Sequence, residues 1–171
     1  SELEEVARRV EKLLEKHKED LKRLLEKSEE DLRRAEEEVK RLLEEIREEL
    51  DRLRKRNVDR ETVKEMEKKL EEKIKRLEDM LRRLEERDEE LNRRSEEHNK
   101  ELRKEIEDLL RKLPEDEEIK KVRKKVEDVH EESKRLNEEN RRRTKEVSDK
   151  IREIIKEIRK EIKKASDELE K

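Results

Sequence analysis

Along the first third of the chain, apolar residues return at steps of three and four. They run Leu3, Val6, Val10, Leu13, Leu21, Leu24, Leu32, Ala35, Val39, Leu42, Ile46, Leu50 and Leu53, with His17 and Ser28 standing where the series skips. A second series passes through Val63, Met66, Leu70, Ile74, Leu77, Leu81, Leu84, Asp88, Leu91, Ser95, His98, Leu102, Ile106, Leu109 and Leu113, and a third extends from Ile119 to Leu169. The mean step, about 3.57 residues, lies between the 3.5 of a supercoiled helix and the 3.6 of a straight one. Three amphipathic helices with little supercoil are predicted. Doubled positions such as Leu13-Leu14, Leu42-Leu43, Leu109-Leu110 and Ile154-Ile155 widen each stripe beyond a two-position seam, as a helix touching two neighbours requires.

Ser1 and Glu4 make an S-x-x-E capping box, after which nothing breaks the pattern until Asn57-Val58-Asp59. There Asn57 suits a left-handed stop and Asp59 a new cap. Pro114 punctuates the second pattern, and the acidic run PEDEE suits the start of a third helix. The boundaries read from these signals are about 2–56, about 60–113 and about 116–170, each helix being ~80 Å long. Short connections make neighbours antiparallel. The expectation is therefore an all-α, up-down-up antiparallel three-helix bundle of long, nearly straight helices, with residues 1–171 forming one domain.

Folding the chain about Val58 matches positions whose numbers sum to about 116, and the second turn matches sums of about 232. The polar interruptions then fall together in the middle. His17 meets His98, Asn99 and Ser133, with His130 one turn away; Ser95 meets Asn137; Asn92 meets Asn140; and Ser28 meets Asp88 and Thr144, with Ser148 continuing the line. These residues are the candidate site, read as a buried polar network. Buried without partners, each group would cost roughly 1–3 kcal/mol. Satisfied together, they restrict the registers that repetitive helices can adopt.

Composition bears first on whether the chain folds at all, since 64% of its residues are charged and there is no Gly, Cys, Trp, Tyr or Phe. Such polarity usually accompanies disorder, but regular spacing of the few apolar residues argues for a fold. Fifty-three basic and fifty-six acidic residues are intermixed, for a net charge of -3. Without a basic face or aromatic platforms, no nucleic-acid partner is expected. No apolar run approaches the ~18 residues of a membrane span, and no leader pattern opens the sequence, so a soluble, untargeted chain compatible with cytosolic expression is expected. Apart from Val58, every apolar residue belongs to a stripe, which favours a monomer; exchange of helices between chains, giving a self-associating or partner-binding component, is the alternative.

Three histidines near one height invite a metal hypothesis, but there is no H-x-x-x-H, and Glu-x-x-His occurs only as Glu127 and His130. Asp88 lies ten residues, ~15 Å, from His98. Ser133 beside His17 or His98 resembles a nucleophile and base, yet a continuous helix without Gly offers no oxyanion hole. No catalysis, metal, cofactor or small-molecule ligand is expected. A pH response is the remaining chemistry, because a neutral buried His that accepts a hydrogen bond loses it on protonation.

The idealised caps, equal helices, short connections, Glu/Lys/Arg surface and layered His/Ser/Asn/Thr core resemble computationally designed helical bundles with buried hydrogen-bond networks. The resemblance is one of style and spans the whole chain. It implies a scaffold or assembly component without a natural biochemical activity, in some cases with His layers serving as pH switches.

Overall fold

The computed structural model of the protein describes residues 1–55 and 59–169. It contains α1 (Glu2–Lys55), α2 (Arg60–Arg111) and α3 (Glu117–Leu169), of 54, 52 and 53 residues. Asn57 and Val58, read above as a helix stop and its connection, lie outside the described residues.

Side-chain oxygens open all three helices. Ser1 Oγ accepts the Glu4 amide at 3.4 Å, Asp59 Oδ1 the Thr62 amide at 2.8 Å, and Asp116 Oδ1 the Ile119 amide at 3.0 Å. Each satisfies one of the donors a first turn leaves without an intrahelical partner. The Thr62 hydroxyl, followed by its amide, holds the Asp59 carboxyl below its usual range. Asp116 is a cap that the sequence pattern does not single out within its acidic run. At its other end α2 stops at Arg111, short of the expected 113. The Leu113 amide turns back to the Leu110 carbonyl at 3.1 Å, tightening the exit, and Pro114 has no N–H with which to continue. No described residue has positive φ, so this exit needs no left-handed residue.

By compactness the chain divides into unit one, Ser1–Glu29 with Asp88–Arg142, and unit two, Glu30–Arg87 with Arg143–Lys171. Each takes one segment from each helix. In unit one, partners on α2 and α3 run in opposite directions: Glu107 with Arg123 at 2.6 Å, Ser95 with Asn137 at 2.5 Å, Asp88 with Arg141 at 3.8 Å. Those on α1 and α3 run in the same direction, from Glu11 with Lys125 at 3.0 Å to Ser28 with Asn140 at 2.9 Å. In unit two, α1 and α2 oppose each other, Asp31 reaching Arg87 at 2.7 Å and Glu49 reaching Lys73 at 3.1 Å. The fold is an all-α three-helix bundle running up, down, up.

Unit two buries an apolar cluster along its whole set of segments, with Leu32, Leu42, Ile46, Leu50 and Leu53 from α1, Leu70, Ile74 and Leu77 from α2, and Val147, Ile151 and Ile158 from α3. Unit one has a smaller one, of Val10, Leu14, Ile106, Leu110, Ile119 and Val129. Where the sequence doubles an apolar position, the fold selects one member for the interior: Leu14 over Leu13, Leu110 over Leu109, Leu42 over Leu43, Ile155 over Ile154. Each fully buried aliphatic side chain contributes ~1.5–3 kcal/mol, while an exposed ion pair contributes ~0–1. Cohesion therefore comes from the stripes. No large apolar side chain is exposed among the described residues, and no described helix is long and apolar enough to cross a membrane.

Ile74 has no exposed surface. Ile74→Ala should lower unfolding free energy by roughly 2–5 kcal/mol, and Asp116→Ala by about 1 kcal/mol, in denaturant titrations followed by circular dichroism.

Candidate functional site

His17 stands three residues after Leu14 and four before Leu21, so helical geometry puts all three on one inward line. Its exposure is 3%, and that of Ser133, which it meets, is 2%. His17 Nε2 lies 2.9 Å from Ser133 Oγ, and Ser133 Oγ lies 2.8 Å from the carbonyl of Val129, one turn earlier on α3. On its other side, His17 Nδ1 lies 3.0 Å from His98 Nδ1. The two ring planes are within 9° of parallel with centroids 5.1 Å apart. Because the nitrogens are closer than the centroids, the rings meet edge to edge.

These contacts fix the direction of every proton. A carbonyl only accepts, so the Ser133 hydroxyl donates to Val129 and has no proton left for His17. His17 Nε2–H must therefore donate to Ser133. A neutral imidazole carries one N–H, which leaves His17 Nδ1 bare and makes His98 Nδ1–H the donor to it. The chain of donors runs His98, His17, Ser133, Val129, linking α2 to α1 to α3.

Burial disfavours charge on His17 and is the main reason its pKa lies below the ordinary 6.5; the positive potential of His98 acts in the same direction, Asp20 opposes it, and His130 adds a smaller depression. His98 itself is exposed, which corrects the expectation that it is buried. It sits at the edge of the α1–α2 contact, beside a groove of about 440 Å³ lined by His17, Asp20, Leu21, Leu24, Ser95 and His98, among others.

Other candidate residues divide by their partners. Asn137 Nδ2 donates to buried Ser95 at 2.5 Å, joining α3 to α2. Ser28 Oγ donates to Asn140 Oδ1 at 2.9 Å, whereas the sequence register matched Ser28 with Asp88 and Thr144. Asn92 is also corrected: half-buried, it reaches Glu96 of its own helix at 3.5 Å. Asp88 is half-buried with Oδ2 3.8 Å from Arg141, and Asn99 is half-buried. His130 is half-buried too, and its buried Nδ1 has no hydrogen-bond partner among the described residues. Thr144 and Ser148 are buried in unit two. Ser148 Oγ has no hydrogen-bond partner among the described residues, so the expectation that it joins a network is corrected.

Sequence reasoning missed the Val129 carbonyl, the acceptor at the end of the chain. Its signal is a serine four residues onward in a helix, a position from which the hydroxyl back-bonds.

This arrangement runs opposite to nucleophile activation. Ser133 gives its proton to a carbonyl, and His17 donates to the hydroxyl where a general base would accept from it. Among the described residues no group of three or more His, Asp or Glu is placed to hold a metal ion.

No family model matches the sequence, and no curated protein matches it. Among solved structures the chain is similar to one described as a "Computationally designed three helix bundle", at 21% identity and a TM-score of 0.51, over 98% of this chain and 84% of that one. At that identity the likeness is one of fold.

Ser133→Ala removes the acceptor of a buried N–H and should cost roughly 1–3 kcal/mol, whereas Ser148→Ala removes a buried hydroxyl without a partner and should be neutral or stabilising. Denaturant midpoints of the two variants check this contrast. A depressed His17 pKa means that the unfolded chain binds a proton the folded chain resists. That contribution is complete above the unfolded value of ~6.5 and is lost as pH falls from there through the folded value, at up to about 1.4 kcal/mol per pH unit. In His17→Gln, which keeps an N–H donor but does not titrate, the fall in midpoint between pH 7.5 and pH 5 should be smaller than in the parent.

Proposed function

We propose that the chain is a structural scaffold of the computationally designed kind, without a natural biochemical activity, whose polar residues in unit one specify helix register and pairing. The observation that carries this reading is that hydrogen-bonded side chains join every pair of helices in that unit: His17 with His98, His17 with Ser133, Ser28 with Asn140, and Ser95 with Asn137. A slip of one turn displaces a helix by ~5.4 Å and separates each of these pairs. It would leave each buried group without its partner, at roughly 1–3 kcal/mol apiece, whereas a leucine stripe slipped by one turn meets nearly the same surface again. Fold-level likeness to a designed three-helix bundle also supports the reading.

The monomer belongs to this reading and is supported by the lack of exposed large apolar side chains among the described residues, which leaves a second chain no greasy face to cover there. No small molecule, nucleic acid or membrane enters the reading.

The test replaces the interior polar set together, as His17→Leu, Ser28→Ala, Ser95→Ala, Ser133→Ala, Asn137→Leu and Asn140→Leu. Stability in denaturant should hold or rise, because well-packed apolar residues commonly equal a buried polar set. Register should become plural, read as cysteine cross-linking between engineered α1–α3 pairs offset by one turn, which the parent does not form. Cross-linking of the in-register pair alone in the apolar variant would remove the register role. The parent should sediment near its chain mass of 21.3 kDa, and a stable trimer would replace the scaffold monomer with a self-associating component.

A further inference from the structure

The direction of the hydrogen bonds around His17 has a consequence for acid that a solitary buried histidine would not show. His17 has no nitrogen free: Nε2 donates to Ser133, and Nδ1 accepts from His98. His98 uses only Nδ1, and its side chain is exposed. The one imidazole lone pair of the pair not engaged in this chain is therefore that of His98 Nε2.

We infer that His17 and His98 together form a binding site for a single proton, which enters at His98 Nε2 and leaves every hydrogen bond of the chain intact. The balance is simple. A solvent proton adds to the Nε2 lone pair, no bond breaks, and His98 becomes an imidazolium that still donates Nδ1–H to His17. As a charged donor it makes the stronger bond. A second proton has only His17 Nδ1 to bind, and there it would meet the His98 N–H directed at the same atom. Two N–H groups cannot face each other at 3.0 Å, so the second uptake requires the rings to part. The closed pair takes up one added proton and no more.

The surrounding charges are mixed. Asp20 on α1 opposes the depression of the His17 pKa and His130 on α3 adds to it, while Arg23 and Lys27 on α1 and Arg94 on α2 line the same groove. The lowered pKa of His17 agrees with a ring that stays neutral while its partner charges. This goes beyond the scaffold reading, because it depends only on the donors and acceptors at one layer. It also separates two responses to acid: charging of the layer comes first, with the layer closed, and opening belongs to the second proton.

Imidazole nitrogen NMR on the 15N-labelled full chain tests the inference. At about pH 8, His98 should be the Nδ1–H tautomer and His17 the Nε2–H tautomer, with a scalar coupling across the Nδ1–H···Nδ1 bond. On acidification His98 Nε2 should protonate while His17 stays neutral and the coupling persists. His98 found as the Nε2–H tautomer at about pH 8, His17 charging before or together with His98, or loss of the coupling at the first protonation would each overturn it. In His17→Leu the acceptor is gone, and His98 should revert to the Nε2–H tautomer that free imidazole side chains prefer. Retention of Nδ1–H in that variant would mean that something other than His17 imposes the polarity, and the inference would fail.

Discussion

Burial of one stripe per helix is the interaction on which the other features rest. Only 26% of the residues are hydrophobic, and no large apolar side chain is left exposed among those described. Polar residues at stripe positions such as His17, Ser95 and Ser133 therefore go inside with the apolar ones, while His98 at the edge of its stripe stays exposed. His17 and Ser133 are taken out of water by the leucines, valines and isoleucines before and after them on the same face, and this burial obliges them to find partners. The polar interior of unit one is in this sense a product of the apolar pattern that it interrupts.

Within that interior, the scarcity of protons imposes order. Ser133 has a single hydroxyl proton, and the Val129 carbonyl, unable to donate, claims it. From there the donor and acceptor roles of three more atoms follow without choice, ending at an exposed ring on a different helix. A helix that makes no unusual turn and contains no glycine thus still presents a directed polar chain, because its own carbonyl serves as the anchor.

Unit two is lined mainly with Leu, Ile and Val, although buried Thr144 and the Ser166–Glu67 hydrogen bond at 2.9 Å belong to it, and the buried hydroxyl of Ser148 has no hydrogen-bond partner among the described residues. Lys73 there sits between Glu45 and Glu49 at 3.5 and 3.1 Å on the flank of the stripe. The proposed division of labour, adhesion from apolar layers and register from polar ones, rests on this contrast in chemistry.

Periodicity determined the three helices, since a stripe at steps of three and four has one secondary structure that keeps it on a single face, while caps and breakers set their approximate ends and the short connections their up-down-up order. It also determined which polar residues enter the interior at His17, Ser95 and Ser133, because they occupy stripe positions. Depth at the edges of the stripe was decided only by tertiary structure. A step near 3.57 leaves neighbours such as Leu13 and Leu14, or His98 and Asn99, to be sorted by the helices packed against them, and that sorting left His98 exposed. Partner choice was decided there as well. Ser28 bonds Asn140 and Asn92 turns to its own helix, because hydrogen bonds are resolved over tenths of an ångström, whereas a residue number along a helix locates a side chain only to within a turn.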